Sequence, residues 1–326
     1  MKKVRLSSWL LTAAVAGLMS AAPAMAQSTL KMAYALSANS HYGAGGEAFA
    51  KAIDASTDGK IKVQQFANSA LGGEREVIEG LQLGTIDLAI VSTGATLNFV
   101  PKTGVFDIPF LFRDLDHARR VLDSDIGQDL LVEFNKRGLV ALAWGEQGFR
   151  HLTNNTRAVK TPEDIKGLKI RTTENPIHIV AFRHLGVLAT PMAWPEVSTA
   201  LQQGTIDGQE NPLSVIVSAK LAQTQKYLSL TSHVYAPAVI MVSPSVWGSL
   251  SDEDKEKVRA AALEGAQAMR TFVDNVEVSG VEEVKAQGMQ VDEVDYAAFA
   301  QAVEPVYPQY YKQFGQELVD SIRNFQ

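Results

Sequence analysis

Two arginines are the residues best suited to grip a small acid. Arg150 falls in Gly148-Phe149-Arg150, and Arg171 closes the run Leu168-Lys169-Ile170-Arg171. A guanidinium stays charged and gives a carboxylate two parallel hydrogen bonds. In an open α/β sheet, the carboxyl end of a strand faces the crevice where ligands bind. Either arginine can equally be held in an ordinary salt bridge, with Asp207 or Glu210 as partner. Asn211, between Glu210 and Pro212, has an amide able to donate to a carboxylate from a loop stiffened by the proline. Trp194, between Ala193 and Pro195, is either a wall against a ligand or a core residue.

Other chemistry finds little support. The six histidines are His41, His117, His151, His178, His184 and His233, and none forms H-E-x-x-H. There is no cysteine, so a zinc site would need scattered ligands, and no metal is expected. No G-x-S-x-G elbow occurs. Residues 43–48, Gly-Ala-Gly-Gly-Glu-Ala, fit the dinucleotide pattern G-x-G-x-x-A. That pattern needs an acid near the end of the second strand for the ribose, and here this stretch reads Gln65-Phe66-Ala67. The glycines are read as close helix packing, and no cofactor is expected.

The elements that must position these residues alternate. Strands are expected over 30–35, 61–66 and 86–91, with helices over 45–55 and 74–83 between them. The same grammar restarts with a strand at 168–171, helices over 176–185 and 195–203, and a strand beginning at Ile206. Alternation of this kind favours parallel sheets with helices on their faces. The phrase L-Q-x-G-T-I-D occurs twice, at 81–87 and 201–207. It marks one junction, helix then glycine stop then strand, in two separate units. A capping Ser251 opens a helical pattern that continues to Gln287, on the order of 50 Å. Gly280 is the expected weak point of that helix.

The chain opens with Lys2, Lys3 and Arg5, an apolar run and the small residues Ala24-Met25-Ala26, the pattern of an export signal cut after Ala26. Removing those three cations leaves 27 basic against 36 acidic residues, a net of −9. Such a surface repels nucleic acid. An exported chain without cysteine must rely on large apolar cores, and its length suggests two domains.

Six stretches in order carry a family resemblance: SALGGEREVIEGLQLGTIDLAI (69–90), DIPFLF (107–112), GFRHLTN (148–154), DIKGLKIR (164–171), LGVLATPMAWPEVSTALQQGTIDGQENP (185–212) and QKYLSLTSH (225–233). Together they resemble the extracytoplasmic solute-binding proteins of TRAP transporters, the DctP type. The resemblance implies an α/β, two-lobe periplasmic-binding-protein-like fold, with a ligand cleft between the lobes and a long helix spanning both. Lobe I is expected from 27–148 plus 237–276, and lobe II from 149–236 plus 277–326. In the family pattern Arg171 pairs with the ligand carboxylate, while Arg150 and Asn211 assist. Glu74 faces the cleft from the other lobe, Trp194 is an aromatic wall, and Asn175 lies on the loop after the arginine strand. His41, Asn39 and Tyr235 are candidates for the opposite wall.

The resemblance further implies a periplasmic, non-catalytic monomer that delivers a small carboxylate to TRAP membrane subunits. The chain departs from sialic-acid-binding members: Ala35 stands where those have Asn, and Trp194 where they have Phe. A sugar acid such as a uronate or aldonate is therefore expected ahead of a C4-dicarboxylate. Two rival readings remain open. One is an exported enzyme using Glu74 or Glu210 as acid or base, and the other is a ligand-presenting partner of a membrane sensor.

Overall fold

The computed structural model describes residues 28–326, so the expected export signal lies outside the described residues. The first half runs β1 (Ser28–Tyr34), α1 (His41–Ser56), β2 (Ile61–Phe66), α2 (Glu74–Leu83), β3 (Leu88–Ser92), α3 (Thr93–Thr96), α4 (Leu115–Asp123), α5 (Asp125–Glu133) and β4 (Val140–Asn154). Then come β5 (Lys169–Thr172), α6 (Pro176–His184), β6 (Leu188–Pro191), α7 (Trp194–Gln202), β7 (Gly208–Pro212), α8 (Leu213–Ser218) and β8 (Tyr227–Val242). The chain ends with α9 (Pro244–Ser249), α10 (Asp252–Ala286), β9 (Gln290–Asp292), α11 (Tyr296–Val303), α12 (Tyr307–Phe314) and α13 (Gln316–Arg323).

One sheet carries both lobes, in the order β2-β1-β3-β8-β4-β7-β5-β6, with β9 paired to β8. The order reads the same from either end. β1 pairs in parallel with β2 and β3, and β5 pairs in parallel with β6 and β7. Between these triplets lie β4 and β8, antiparallel and 15 and 16 residues long. Each passes from one lobe into the other. Their pairing is bulged between Glu146 and Gly148, where Gly148 adopts φ +104. Such a bulge bends a strand and re-aims its side chains.

The repeated phrase has one structural meaning, used twice. Gly84 and Gly204 end their helices at φ +71 and +68, a conformation that costs glycine little. The aspartate three residues on then fastens the neighbouring strand. Asp87 Oδ2 accepts from Lys31 N at 2.8 Å, and Asp207 Oδ2 accepts from Lys169 N at 2.8 Å. Ile86 and Ile206 are buried beneath these clamps. The two lobes are thus versions of one β-α-β-α-β unit.

Helix α10 opens with Ser251 Oγ accepting from Asp254 N at 3.1 Å, as the capping pattern requires. It runs 35 residues, as the helical pattern implied, and passes unbroken through the weak point at Gly280. There the missing side chain makes room for Leu213, whose Cγ would stand 3.0 Å from an added Cβ. Val258, Ala262, Ala266 and Met269 join the core under α1 and β1. Val276 and Val284 join a second core with Val197, Leu201 and Ile216. One helix therefore braces both lobes. Against α1 the two backbones nearly touch, because a Cβ on Gly265 would lie 2.9 Å from the Gly45 carbonyl oxygen. Gly45 belongs to the G-x-G-x-x-A run, whose glycines serve packing. Gly265→Val is expected to cost about 1–3 kcal/mol through overpacking, read as a lowered melting temperature.

The C-terminal helices touch residues on both sides of the expected lobe boundary. Phe299 and Val303 border a recess with Leu152, Ile165 and Ala181. The Tyr307 hydroxyl donates to the Pro109 carbonyl at 2.5 Å, and Phe314 packs against Gly104. Among the described residues no helix is long and apolar enough to cross a membrane.

Candidate functional site

β7 breaks the rule for a strand covered on both faces. All five residues, Gly-Gln-Glu-Asn-Pro, are buried. Burying such groups is costly unless each is bonded, so partners must be close by. Glu210 supplies the centre of the network. Its carboxylate takes Arg150 Nε at 2.5 Å and Arg150 Nη2 at 2.9 Å, and lies 3.2 Å from His233 Nε2. Burial alone would raise the Glu210 pKa, but the Arg150 charge and the His233 contact hold it below the usual carboxylate range. Arg150 Nη2 also donates to Asn211 Oδ1 at 3.2 Å, and Asn211 Nδ2 donates to Gln209 Oε1. Of the two arginines, Arg150 is the one in a salt bridge, and Glu210 rather than Asp207 is its partner.

Arg171 is different. It is 3% exposed at the carboxyl end of β5. Its Nε and Nη2 both donate to the Met192 carbonyl, at 3.0 and 2.7 Å. That carbonyl is neutral, and among the described residues no carboxylate lies within ion-pair distance of Arg171. Burial lowers its pKa to about 10, only partly offset by the more distant Glu210 and Glu74. A buried guanidinium without a counterion is a ready receptor for an anion. The Trp194 ring lies 5.8 Å from the Arg171 Cζ, within cation–π range.

Glu74 faces the arginines from the first unit, at the start of α2. Its carboxylate accepts from Ser92 N at 2.7 Å, Ser92 Oγ at 2.6 Å and the Tyr42 hydroxyl at 3.4 Å. Burial raises its pKa against these bonds. Glu74, Arg150, Arg171, Trp194 and Asn211 all line one small chamber of ≈ 30 Å³, with Ala35, Leu36 and Val215 as its apolar part. The lobes meet across the mouth. Asn98 Nδ2 donates to the Glu174 carbonyl at 3.1 Å, and Gly94 abuts Thr173. The cleft is shut.

A chamber between two like α/β units, closed over an unmatched cation, is the design of a binding protein. The DctP profile, bacterial extracellular solute-binding protein family 7, matches residues 32–313. The chain belongs to this family. A TRAP periplasmic solute-binding protein from Bordetella bronchispeptica, solved with density interpreted as pantoate, is 72% identical. It covers 92% of this chain, which covers all of it, at a TM-score of 0.91. One from a Polaromonas species, bound to D-erythronate, is 49% identical with a TM-score of 0.90, covering 91% of this chain and 99% of its own. The 2,3-diketo-L-gulonate-binding periplasmic protein of Escherichia coli is 35% identical, over 86% of this chain and 85% of its own.

Four residues expected at the DctP site lie away from the chamber. Asn175 caps α6, its Oδ1 accepting from Ile177 N at 2.8 Å, while its Nδ2 is buried with no hydrogen-bond partner among the described residues. Tyr235 is buried between Phe112 and Phe149, with its hydroxyl on Glu146 at 2.9 Å. His41 is buried against Tyr42 and Phe272. Asn39 is exposed in the turn before α1. Sequence reasoning missed Tyr42, Ser92, Gln147 and Thr173, which also line the chamber. They lie at the start of α1, at or just past strand ends, and on the bulged strand, where only the pairing of distant segments brings them together.

The buried histidines give the fold a pH dependence. Burial lowers His41, His151 and His178 each to about 3, from an ordinary 6.5. Below about pH 6.5 the unfolded chain therefore takes up protons that the folded chain refuses. Their stabilising contribution is present above that pH and lost as pH falls toward 3, by up to about 1.4 kcal/mol per pH unit for each ring. Asp107 opposes them: burial raises it to about 7, so its contribution is present below its unfolded value of 3.8 and lost as pH rises through 7. Burial lowers His117 and His233 as well and raises Glu74, Glu146 and Glu277 beside Asp107, so five histidines stand against four carboxylates. The urea midpoint is expected to fall between pH 6.5 and 4.5, and an unchanged midpoint would contradict the burial of neutral rings.

Proposed function

We propose that this chain captures a short hydroxylated monocarboxylate, a sugar acid of the aldonate or uronate class, without altering it. The observation that carries the reading is the buried Arg171 guanidinium, which no carboxylate of the described residues neutralises. The bound acids of the relatives support it: D-erythronate in the Polaromonas protein and galactonate in a 32%-identical one. A C4-dicarboxylate ranks second, because Arg150 is already matched by Glu210 and a second carboxylate would meet Glu74.

Capture works by closure. The hinge lies where β4 and β8 bulge, at Gly148 and Ala236, close to the expected lobe boundaries. Ligand contacts made only in the closed arrangement shift the population toward it. Water exclusion strengthens the charged hydrogen bonds. The protein acts as a periplasmic monomer, exported by the signal cut after Ala26, and the closed form docks on TRAP membrane subunits. Ligand that binds only the folded state raises the melting temperature by mass action. A thermal-shift panel of D-erythronate, galactonate, galacturonate, succinate and N-acetylneuraminate is expected to respond to the aldonates or uronate, with the acid recovered unchanged. A response to succinate or N-acetylneuraminate alone, or a chemically altered acid, would overturn the reading.

A further inference from the structure

Three recesses meet at one side chain. The ligand chamber shares Ala35, Leu36 and Trp194 with a larger groove on the flank of the cleft. It shares Glu74, Arg171, Thr173 and Trp194 with the recess at the mouth. Among the described residues, Trp194 is the one that lines all three. The indole begins α7 and is only partly buried, packed against apolar residues of both lobes.

The flank groove is the larger space, ≈ 390 Å³ against ≈ 30 Å³ for the chamber. Its walls are rich in hydroxyls and amides, with Ser37, Asn68 and Ser69 on one side and Ser198, Gln202 and Thr224 on the other. The Ser37 hydroxyl oxygen is buried with no hydrogen-bond partner among the described residues. Asn68 and Ser69 hold φ values of +56 and +54, and Lys220, on the facing wall, +54. Side-chain-bearing residues adopt this conformation at some cost, and such strain clusters where a wall is fixed for binding. The groove thus offers what a hydroxylated chain needs, immediately beyond the ring that ends the chamber.

We propose that this groove is a second subsite of the ligand site, fitted to the hydroxylated tail of acids longer than six carbons, and that the Trp194 indole is the partition that closes it off. The proposal rests on the carboxylate reading of the chamber given above. With the acid group on Arg171, the ring sets how long a ligand fits. Removing the ring joins the two spaces, and the tail of a longer acid continues toward Ser37 and Ser69. The short acid then loses its wall, together with the ring's hold on the Arg171 guanidinium.

Calorimetry on the full mature chain tests this with D-erythronate (four carbons), galactonate (six) and N-acetylneuraminate (nine). The wild type is expected to bind the nine-carbon acid at least 100-fold more weakly than its best short acid. Trp194→Ala is expected to gain at least tenfold for the nine-carbon acid and to lose at least tenfold for the short one. Trp194→Phe should shift the ratio of the two affinities at least threefold in the same direction, and it carries the readout if the alanine variant does not fold. Adding Ser198→Trp to either variant refills the groove from the facing wall. It should reverse the long-acid gain without restoring the short-acid loss. Equal weakening of all three acids, or a gain that survives Ser198→Trp, overturns the partition. A wild type that binds none of these three acids, nor galacturonate or succinate, overturns the carboxylate reading instead, and the partition with it. Wild-type binding of a short acid with no change of length preference in any variant sinks the partition alone.

Discussion

Arg171→Ala is expected to weaken ligand binding by about 10²- to 10⁴-fold while leaving the fold intact. The estimate follows from two hydrogen bonds to a charged group, at roughly 1.5–3 kcal/mol each. The stability half of the expectation follows from the surroundings. Arg171 holds no carboxylate of the described residues, so its removal leaves no unpaired acid behind, only the Met192 carbonyl without its donors. Arg171→Lys should recover little, because a point charge on a flexible stem cannot reproduce the planar fork. Titration calorimetry beside a thermal melt separates the two effects. Affinity within threefold of wild type would remove Arg171 from the carboxylate site.

Glu210→Gln should do the reverse and strike stability first. The substitution leaves Arg150, 2% exposed, as an uncompensated charge inside the protein. Breaking a buried pair from one side costs about 3–5 kcal/mol. In a chain of this size that corresponds to a fall of about 10 °C in melting temperature. Replacing both partners by apolar residues, as in Arg150→Met with Glu210→Leu, should be milder, since neither charge is then orphaned. Part of the loss should remain, because His233 would still lack the oxygen it faces at 3.2 Å. A melt in which Glu210→Gln matches wild type would mean that Arg150 finds another partner. Together the two expected results would assign the arginines different work: Arg171 to the ligand, and Arg150 to the wall beside it.

The alternation of strands and helices, the glycine stops and the repeated junction were legible because each is local. G-T-I-D needs only a helix exit and an aspartate three residues on to state its structural role. Arg171 was legible for the same reason, as a cation at the end of a short apolar strand. Asn175 also carried a local signal, Asn before Pro at a helix start, which is the mark of an N-cap, and the cap claimed its side-chain oxygen. His41 and Tyr235 gave no such warning, since an isolated ring reads alike in a core and in a cleft. Ser92 and Tyr42 meet Glu74 only once β1 has paired with β3, a contact between distant segments. The buried polar β7 contradicts any pattern of apolar periodicity. Its motif stood out in the sequence as a family signature, while its chemistry became readable only beside Arg150 and His233.

The unbroken α10 helix also sets a mechanical stop. A rod of 35 residues cannot stretch, and smooth curvature of radius about 60–100 Å turns one of this length through only roughly 30–50°. Its two halves are anchored in separate cores, so the jaws can swing no further than the rod can flex. The travel of the whole device is thereby written into one helix.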